Sequence, residues 1–224
     1  MTVAILGSGP AGLLAAHAVG LKGRPFAIFS EGKPSKIGGA QFLHSSIPLV
    51  TAETPDFHII YKLQGEASEY RRKVYGDAPA VPFVSMENVK DGQVQPAWDL
   101  RKAYEHLLDG PMGRSVEANK VTISSDWLQR HIDNFTEVIS SLPANVLCVN
   151  PQHVFASQTI LIAIGGGISN VGINEIVYNG NPSPSWYRAS NINGHCGTEW
   201  STQGPRPPYS GLVEVKKPLW TNCD

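Results

Sequence analysis

Excess charge of either sign is missing from this sequence: 18 Lys and Arg stand against 19 Asp and Glu over 224 residues. That balance removes the electrostatic case for a nucleic-acid or membrane-surface partner, because such binding needs a basic face. Long apolar runs are missing as well, and none approaches the ~20 residues that cross a bilayer. The apolar start, Val3 to Leu6, runs straight into glycine with no basic stretch before it, which does not fit a secretory signal. A cytoplasmic setting is expected. Cysteine is scarce. Cys148, Cys196 and Cys223 are too few and too scattered for a disulfide framework, and no Cys-x-x-Cys pair suggests zinc. His195 and Cys196 are adjacent, and adjacent side chains rarely reach one metal, so no metal site is expected. Cys148 follows a predicted strand in an apolar setting, which suits a buried and inert thiol. Cys196 has only His195 beside it as an activating group. No lysine follows the first glycines as in a triphosphatase loop, no Gly-x-Ser-x-Gly elbow exists, and no repeat is visible.

What is present points to an α/β chain long enough to bury roughly 70% of its unfolded surface. Thr2 to Leu6 is a short apolar run, Ala11 to Leu21 is rich in Ala and Leu, and Pro25 to Phe29 is apolar again. This alternation predicts strand, helix and parallel strand with a right-handed crossover. Further along, Phe57 to Leu63 suits a strand and Ala67 to Val74 a short helix. Trp98 to Leu108 has apolar residues at helical spacing, and Gly110-Pro111 is expected to stop that helix. Lys120 to Ile123, Thr136 to Ser140, His153 to Ile164 and Glu175 to Tyr178 follow as strand candidates, with a capped helical turn over Asp126 to His131. Beyond Tyr178 the pattern reads as irregular. The expected domains are residues 1–50 with about 110–168, and about 51–109 with 169–224.

The strongest motif is Gly7-Ser8-Gly9-Pro10-Ala11-Gly12, a GxGxxG placed where a strand meets a helix. Gly7 allows the tight turn, Gly9 lets backbone approach a pyrophosphate, and Gly12 lets helix and strand pack closely. The N–H groups and dipole of the helix start then face the phosphates. Glu31 ends the second strand, where a carboxylate accepts hydrogen bonds from ribose hydroxyls and disfavours a 2′-phosphate.

Lys36-Ile37-Gly38-Gly39-Ala40 places a second glycine pair just beyond that acid. In the order GxGxxG, acid, then GG, the chain resembles the glutathione-reductase-like flavoproteins. It is most similar to the branch that contains UDP-galactopyranose mutase and the amine oxidases. The resemblance implies a Rossmann-like FAD-binding domain made of discontinuous segments, with a second, mixed β-rich lobe. It also implies FAD contacts from Gly32, Lys36, Gly38, Gly39, Ala40 and Gln41, and a backbone contact to adenine at Val121. Phe135 to Pro143 is similar to the strand that returns to the Rossmann sheet in this branch. Tyr178 to Ser190, with Trp186, Tyr187 and Arg188, is similar to a substrate-domain strand whose arginine faces the flavin site. Those flavoproteins close with another glycine-containing strand-to-helix segment, and none is legible before Asp224. Completion of the site by a homo-oligomer or a second polypeptide is therefore expected.

His44 follows the GG pair in the loop that should run past a flavin ring, as a proton donor or an ordinary loop histidine. Arg188 is placed either against an anionic substrate or reduced flavin, or stacked on an aromatic surface. With FAD as cofactor, the expectation is a flavoenzyme acting on a small polar or nucleotide-like substrate. Its reaction is an oxidation or a flavin-assisted rearrangement. A nucleotide-binding protein that depends on a partner and has no catalysis of its own is the alternative. A flavoprotein modifying a nucleic-acid base is a further one, which the neutral charge does not support. A second GxGxxG for a pyridine nucleotide is absent.

Overall fold

The computed structural model describes residues 2–33, 42–75, 91–168, 170–202 and 206–221. In chain order the elements are β1 (Thr2–Leu6), α1 (Pro10–Leu21), β2 (Phe26–Phe29), β3 (Phe42–Leu43), β4 (Phe57–Gly65), α2 (Ala67–Tyr75), β5 (Val94–Asp99), α3 (Leu100–Leu108) and α4 (Pro111–Ala118). They continue as α5 (Ser125–His131), β6 (Phe135–Ser140), β7 (Phe155–Ile164), β8 (Glu175–Gly180), β9 (Trp186–Ile192), β10 (His195–Ser201) and β11 (Val213–Thr221). The result is a mixed α/β chain with both parallel and antiparallel pairing. Among the described residues no helix is long and apolar enough to cross a membrane.

Two compact units form. The first spans Met1–Thr54 and Trp98–His153, and the second spans Pro55–Ala97 and Val154–Asn222. The boundaries at 97/98 and 153/154 therefore fall before α3 and before β7, where the sequence spacing suggested about 109/110 and 168/169. The physical reason lies in pairing. β7 hydrogen-bonds along its length to β10 and β11, whereas α3 buries Tyr104 and Leu107 in the core of the first unit.

In the first unit β2, β1 and β6 form a parallel sheet in that order. Both faces of β1 are covered, so Val3 and Ile5 enter one core and Ala4 and Leu6 the other. One core takes Leu13, Ala16 and Val19 from α1, Tyr104 and Leu107 from α3, and Val116 from α4. The opposite core is built on Trp127 of α5, with the Phe29 ring 5.1 Å from Trp127 and 5.3 Å from Phe135. Helix α3 begins at Leu100 and not at Trp98, because the Asp99 side chain accepts the N–H groups of Arg101 and Lys102 and so caps it. Trp98 stays in the strand and donates its indole N–H to the Ala52 carbonyl at 2.9 Å. Gly110-Pro111 does end α3, but Pro111 also opens α4, since a first helical position needs no N–H. Where a strand over Lys120 to Ile123 was expected, the pairing is one parallel bridge between Ser30 and Lys120.

In the second unit the strands run β11-β7-β10-β9-β8-β4-β5. Pairing is antiparallel except between β4 and β8. Helix α2 covers one face through Tyr70 and Val74, against Ile160 and Tyr187. The other face buries Leu161, Ala163, Val177, Trp186, Ala189 and Trp200. The segment after Tyr178, expected to be irregular, holds three strands. Its hairpin turns at Asn193-Gly194, both at positive φ (50° and 81°), between the paired Ile192 and His195. Two central residues at positive φ match the twist of the flanking strands.

Candidate functional site

The candidate site lies at the carboxyl ends of β1, β2 and β6, where β1 turns into α1. A pocket of about 790 Å³ opens there, lined by Gly7 to Ala11, Ser30 to Lys33, Ile123, Ser141, Leu142 and Val146. Its floor is the glycine turn. Gly7 adopts φ +102°, a backbone conformation that disfavours any side chain, and donates its N–H to the Phe29 carbonyl at 2.9 Å. At Gly12 an added Cβ would stand 2.0 Å from the Gly7 carbonyl oxygen, so only glycine lets α1 sit this close to the turn. At Gly9 the situation is the reverse. A Cβ there meets nothing within 4 Å, leaving open space above the backbone.

Gly9 is the N-cap of α1 and offers no capping side chain, and Pro10 at the first helical position has no N–H. The N–H groups of Ala11 and Gly12 therefore lie in the first turn, without an intrahelical acceptor and without a side-chain cap. Donors and helix dipole together favour an anion at this end. The turn is held from behind. Buried Tyr104 donates its hydroxyl to the Ser8 carbonyl at 2.9 Å, and Ser8 Oγ donates to the Gly32 carbonyl at 2.6 Å. Burial raises the Tyr104 phenol above its ordinary value, so it remains a donor.

Glu31 is exposed on the pocket wall, one residue after β2 and its bridge residue Ser30, and Gly32 follows at φ +125°. Lys33 lines the same wall, so both signs of charge stand at the mouth. Val121 packs in the core around Trp127 and gives its N–H to the Ser30 carbonyl at 2.7 Å; the apolar wall of the pocket is Ile123, Leu142 and Val146. Ser30, Lys33, Ile123, Ser141, Leu142 and Val146 were not singled out in the sequence. Ser141 reaches the site because β6 inserts beside β1, and both its N–H and its hydroxyl donate to the Leu6 carbonyl, at 2.8 and 2.9 Å. The signal for such residues is position: the carboxyl ends of neighbouring parallel strands.

Lys36, Gly38, Gly39, Ala40 and Gln41 lie outside the described residues. His44 follows β3, is exposed, and sets its ring edge-on to Phe42 with centroids 5.0 Å apart.

Arg188 belongs to the second unit. It stands on β9 between Tyr178 of β8 and Glu199 of β10, which are its register partners, and it is ion-paired with Glu199. Burial alone would make the guanidinium less basic, but the Glu199 carboxylate more than offsets this and holds it above its ordinary value. Burial, and then Glu199, push the Tyr187 phenol upward. Burial pushes the Lys217 ammonium downward; its Nζ sits 5.4 Å from the Tyr187 ring centroid. Both side-chain polar atoms of Gln158 are buried without a hydrogen-bond partner, whereas the Tyr187 phenol lies within hydrogen-bonding reach of the Glu199 carboxylate. Unsatisfied groups of this kind cost about 1–3 kcal/mol each unless a water or a ligand completes them. Among the described residues no group of three or more His, Cys, Asp or Glu side chains converges as a metal site.

No family model matches the chain, and no curated protein matches it. Among solved structures, that of reduced UDP-galactopyranose mutase is similar over 98% of this chain and 80% of that one, with 11% sequence identity and a TM-score of 0.41.

Proposed function

We propose that this chain binds FAD through its ADP half at the β1–α1 turn and acts as a flavoenzyme on a small polar or nucleotide-like substrate. The observation that carries the reading is the cradle at Gly9. Open backbone there, beside first-turn N–H groups that nothing caps, lies in a pocket of about 790 Å³ whose wall carries Glu31. These residues fit the group. Gly9, Ala11 and Gly12 would receive the pyrophosphate, Glu31 the ribose hydroxyls, and Ile123, Leu142 and Val146 the adenine face. The choice of FAD over NAD rests on the sequence order, in which Gly38-Gly39 follows the acid.

When bound, the flavin supplies the electron-transfer or nucleophilic chemistry, and the chain supplies position and electrostatics. For substrate recognition the residue we propose is Arg188 of the second unit. Its guanidinium, ion-paired with Glu199, would provide a charge-assisted donor to an anionic group of the substrate.

The test is the absorption spectrum of the purified full chain, followed by FAD titration. Flavin bands are expected, with FAD and not FMN released on heating. Tightly bound NAD with no flavin would overturn the reading. The exposed Glu31 makes its contribution to the ligand alone, and charge-assisted hydrogen bonds are worth about 1.5–3 kcal/mol. Glu31→Ala should therefore weaken FAD binding about tenfold or more while leaving the melting temperature in place.

A further inference from the structure

Cys148, Asn150 and His153 form a cluster that the proposed cofactor site does not use. Sequence context suggested an inert buried thiol, but Cys148 is only half-buried, and so is His153, while Asn150 is exposed. A short turn sets them. The Cys148 N–H donates to the Ala144 carbonyl at 2.9 Å, and the His153 N–H closes back on the Asn150 carbonyl at 3.2 Å. The imidazole then lies between the thiol and the amide, with Nδ1 3.1 Å from Cys148 Sγ and Nε2 2.9 Å from Asn150 Nδ2.

Hydrogen-bond bookkeeping assigns the protons. Asn150 Oδ1 accepts the Gln152 N–H at 3.0 Å, which turns the amide nitrogen toward the ring. Asn150 Nδ2 can only donate, so Nε2 accepts and the ring proton of the neutral imidazole resides on Nδ1. That N–H points at sulfur. The thiol's own proton has another acceptor, the Asn150 carbonyl, 4.0 Å from Sγ. His153 is thus a donor to Cys148 rather than a base acting on it. A donor held against sulfur hydrogen-bonds the thiolate, which is the form that attacks.

We infer that Cys148 is a nucleophilic thiol, held by the His153 Nδ1–H with Asn150 fixing the tautomer, and that it is a site of mixed-disulfide formation with low-molecular-weight disulfides. The Cys148 proton leaves to solvent, and the sulfur electron pair attacks one sulfur of the disulfide. A new S–S bond forms at Cys148, the original S–S bond breaks, and its electron pair departs on the released thiolate. Cys148 is oxidised, half of the small disulfide is reduced, and no other reactant is needed. Among the described cysteines the other free thiol, Cys196, has only the Gly194 carbonyl near its sulfur, at 3.9 Å.

The experiment uses the full chain carrying Cys196→Ser and Cys223→Ser, so that Cys148 is the one thiol. Reaction with dithionitrobenzoate is followed by the absorbance of the released thiolate. At neutral pH the folded chain should react about threefold faster than the same chain unfolded in urea, because the gain in thiolate fraction is partly offset by the lower nucleophilicity of a stabilised thiolate. His153→Ala should remove that advantage, and Asn150→Ala, which frees the tautomer, should remove part of it. The direction matters, because removing a ring beside sulfur widens access and by sterics alone would speed the reaction. Iodoacetamide, which is uncharged, should give the same ranking and so separate the donor effect from reagent charge. A folded rate at or below the unfolded rate overturns the inference, and so does a rate that is unchanged or raised in His153→Ala. The comparison of folded with unfolded parent stands even if a variant fails to fold.

Discussion

Two glycine substitutions only three residues apart in sequence, at Gly9 and at Gly12, separate ligand binding from folding. Gly9 has φ −69° and ψ 176°, a conformation open to alanine, and an added Cβ meets nothing within 4 Å. Alanine is a poorer N-cap than glycine by up to about 1 kcal/mol. Restriction of the unfolded chain returns about 0.4–1 kcal/mol. Gly9→Ala should therefore melt within about 2–4 °C of the parent, the shift that 1 kcal/mol produces at this size. Its methyl group, however, occupies the space through which a pyrophosphate reaches the first-turn N–H groups. Loss of one charge-assisted hydrogen bond there corresponds to about 1.5–3 kcal/mol, or tenfold to a hundredfold in FAD affinity. Gly12→Ala behaves oppositely. Its Cβ would stand 2.0 Å from the Gly7 carbonyl oxygen and 2.9 Å from the Gly7 carbonyl carbon, and backbone must move to admit it. Such overpacking costs about 1–3 kcal/mol or more and should lower the melting temperature by about 2–12 °C without any ligand. Thermal melts by circular dichroism and FAD titration by fluorescence measure both quantities. A folded Gly9→Ala chain that binds FAD as the parent does would refute the reasoning, as would equal destabilisation by the two substitutions.

Lys73 anchors α2 to the second sheet by donating Nζ to the carbonyls of Asn179 (3.2 Å), Pro184 (2.9 Å) and Trp186 (3.3 Å). Lys73→Met removes these hydrogen bonds, although the Trp186 carbonyl keeps the Asn179 amide as donor and Pro184 is exposed; it should cost about 1–2 kcal/mol in urea unfolding, and a loss below about 0.5 kcal/mol would dismiss the anchor. Glu175 is held below the usual carboxylate range, first by its hydrogen bond from Lys62, against an opposing effect of burial, with the Gly172 N–H adding to it. Because the folded state lowers this value, the stabilisation is present above the ordinary glutamate value, near 4.3, and is lost as pH falls through the folded one. The stability advantage of the parent over Glu175→Gln should be full at pH 7 and shrink steadily on acidification below about pH 4. An advantage independent of pH would exclude the linkage.

The parts legible in the sequence are those whose physics is local. The β1–α1–β2 unit follows from two apolar runs, an Ala- and Leu-rich stretch and the glycines between them, and its elements appear within a residue of their expected bounds. Asn193-Gly194 is also a local signal, and its hairpin was legible in principle, although the strands beside it carry too many polar residues to stand out. The start of α3 turned on a single side chain, since Asp99 as cap excludes Trp98 from the helix. Tertiary structure decided what depends on chain segments far apart. β6 lies against β1 across more than 130 residues, and this contact alone brings Ser141, Leu142 and Val146 to the glycine turn. Pairing with β10 and β11 placed β7 in the second unit, because backbone N–H and C=O groups must find partners and a strand's own sequence does not say which. Arg188 shows the same division. Its residue type was visible in a stretch whose own pattern read as irregular, but the neutralising Glu199 is set opposite it only by antiparallel register. Cys148, Asn150 and His153 are close in sequence, yet their chemistry awaited the turn that fixes one amide and, through it, one proton.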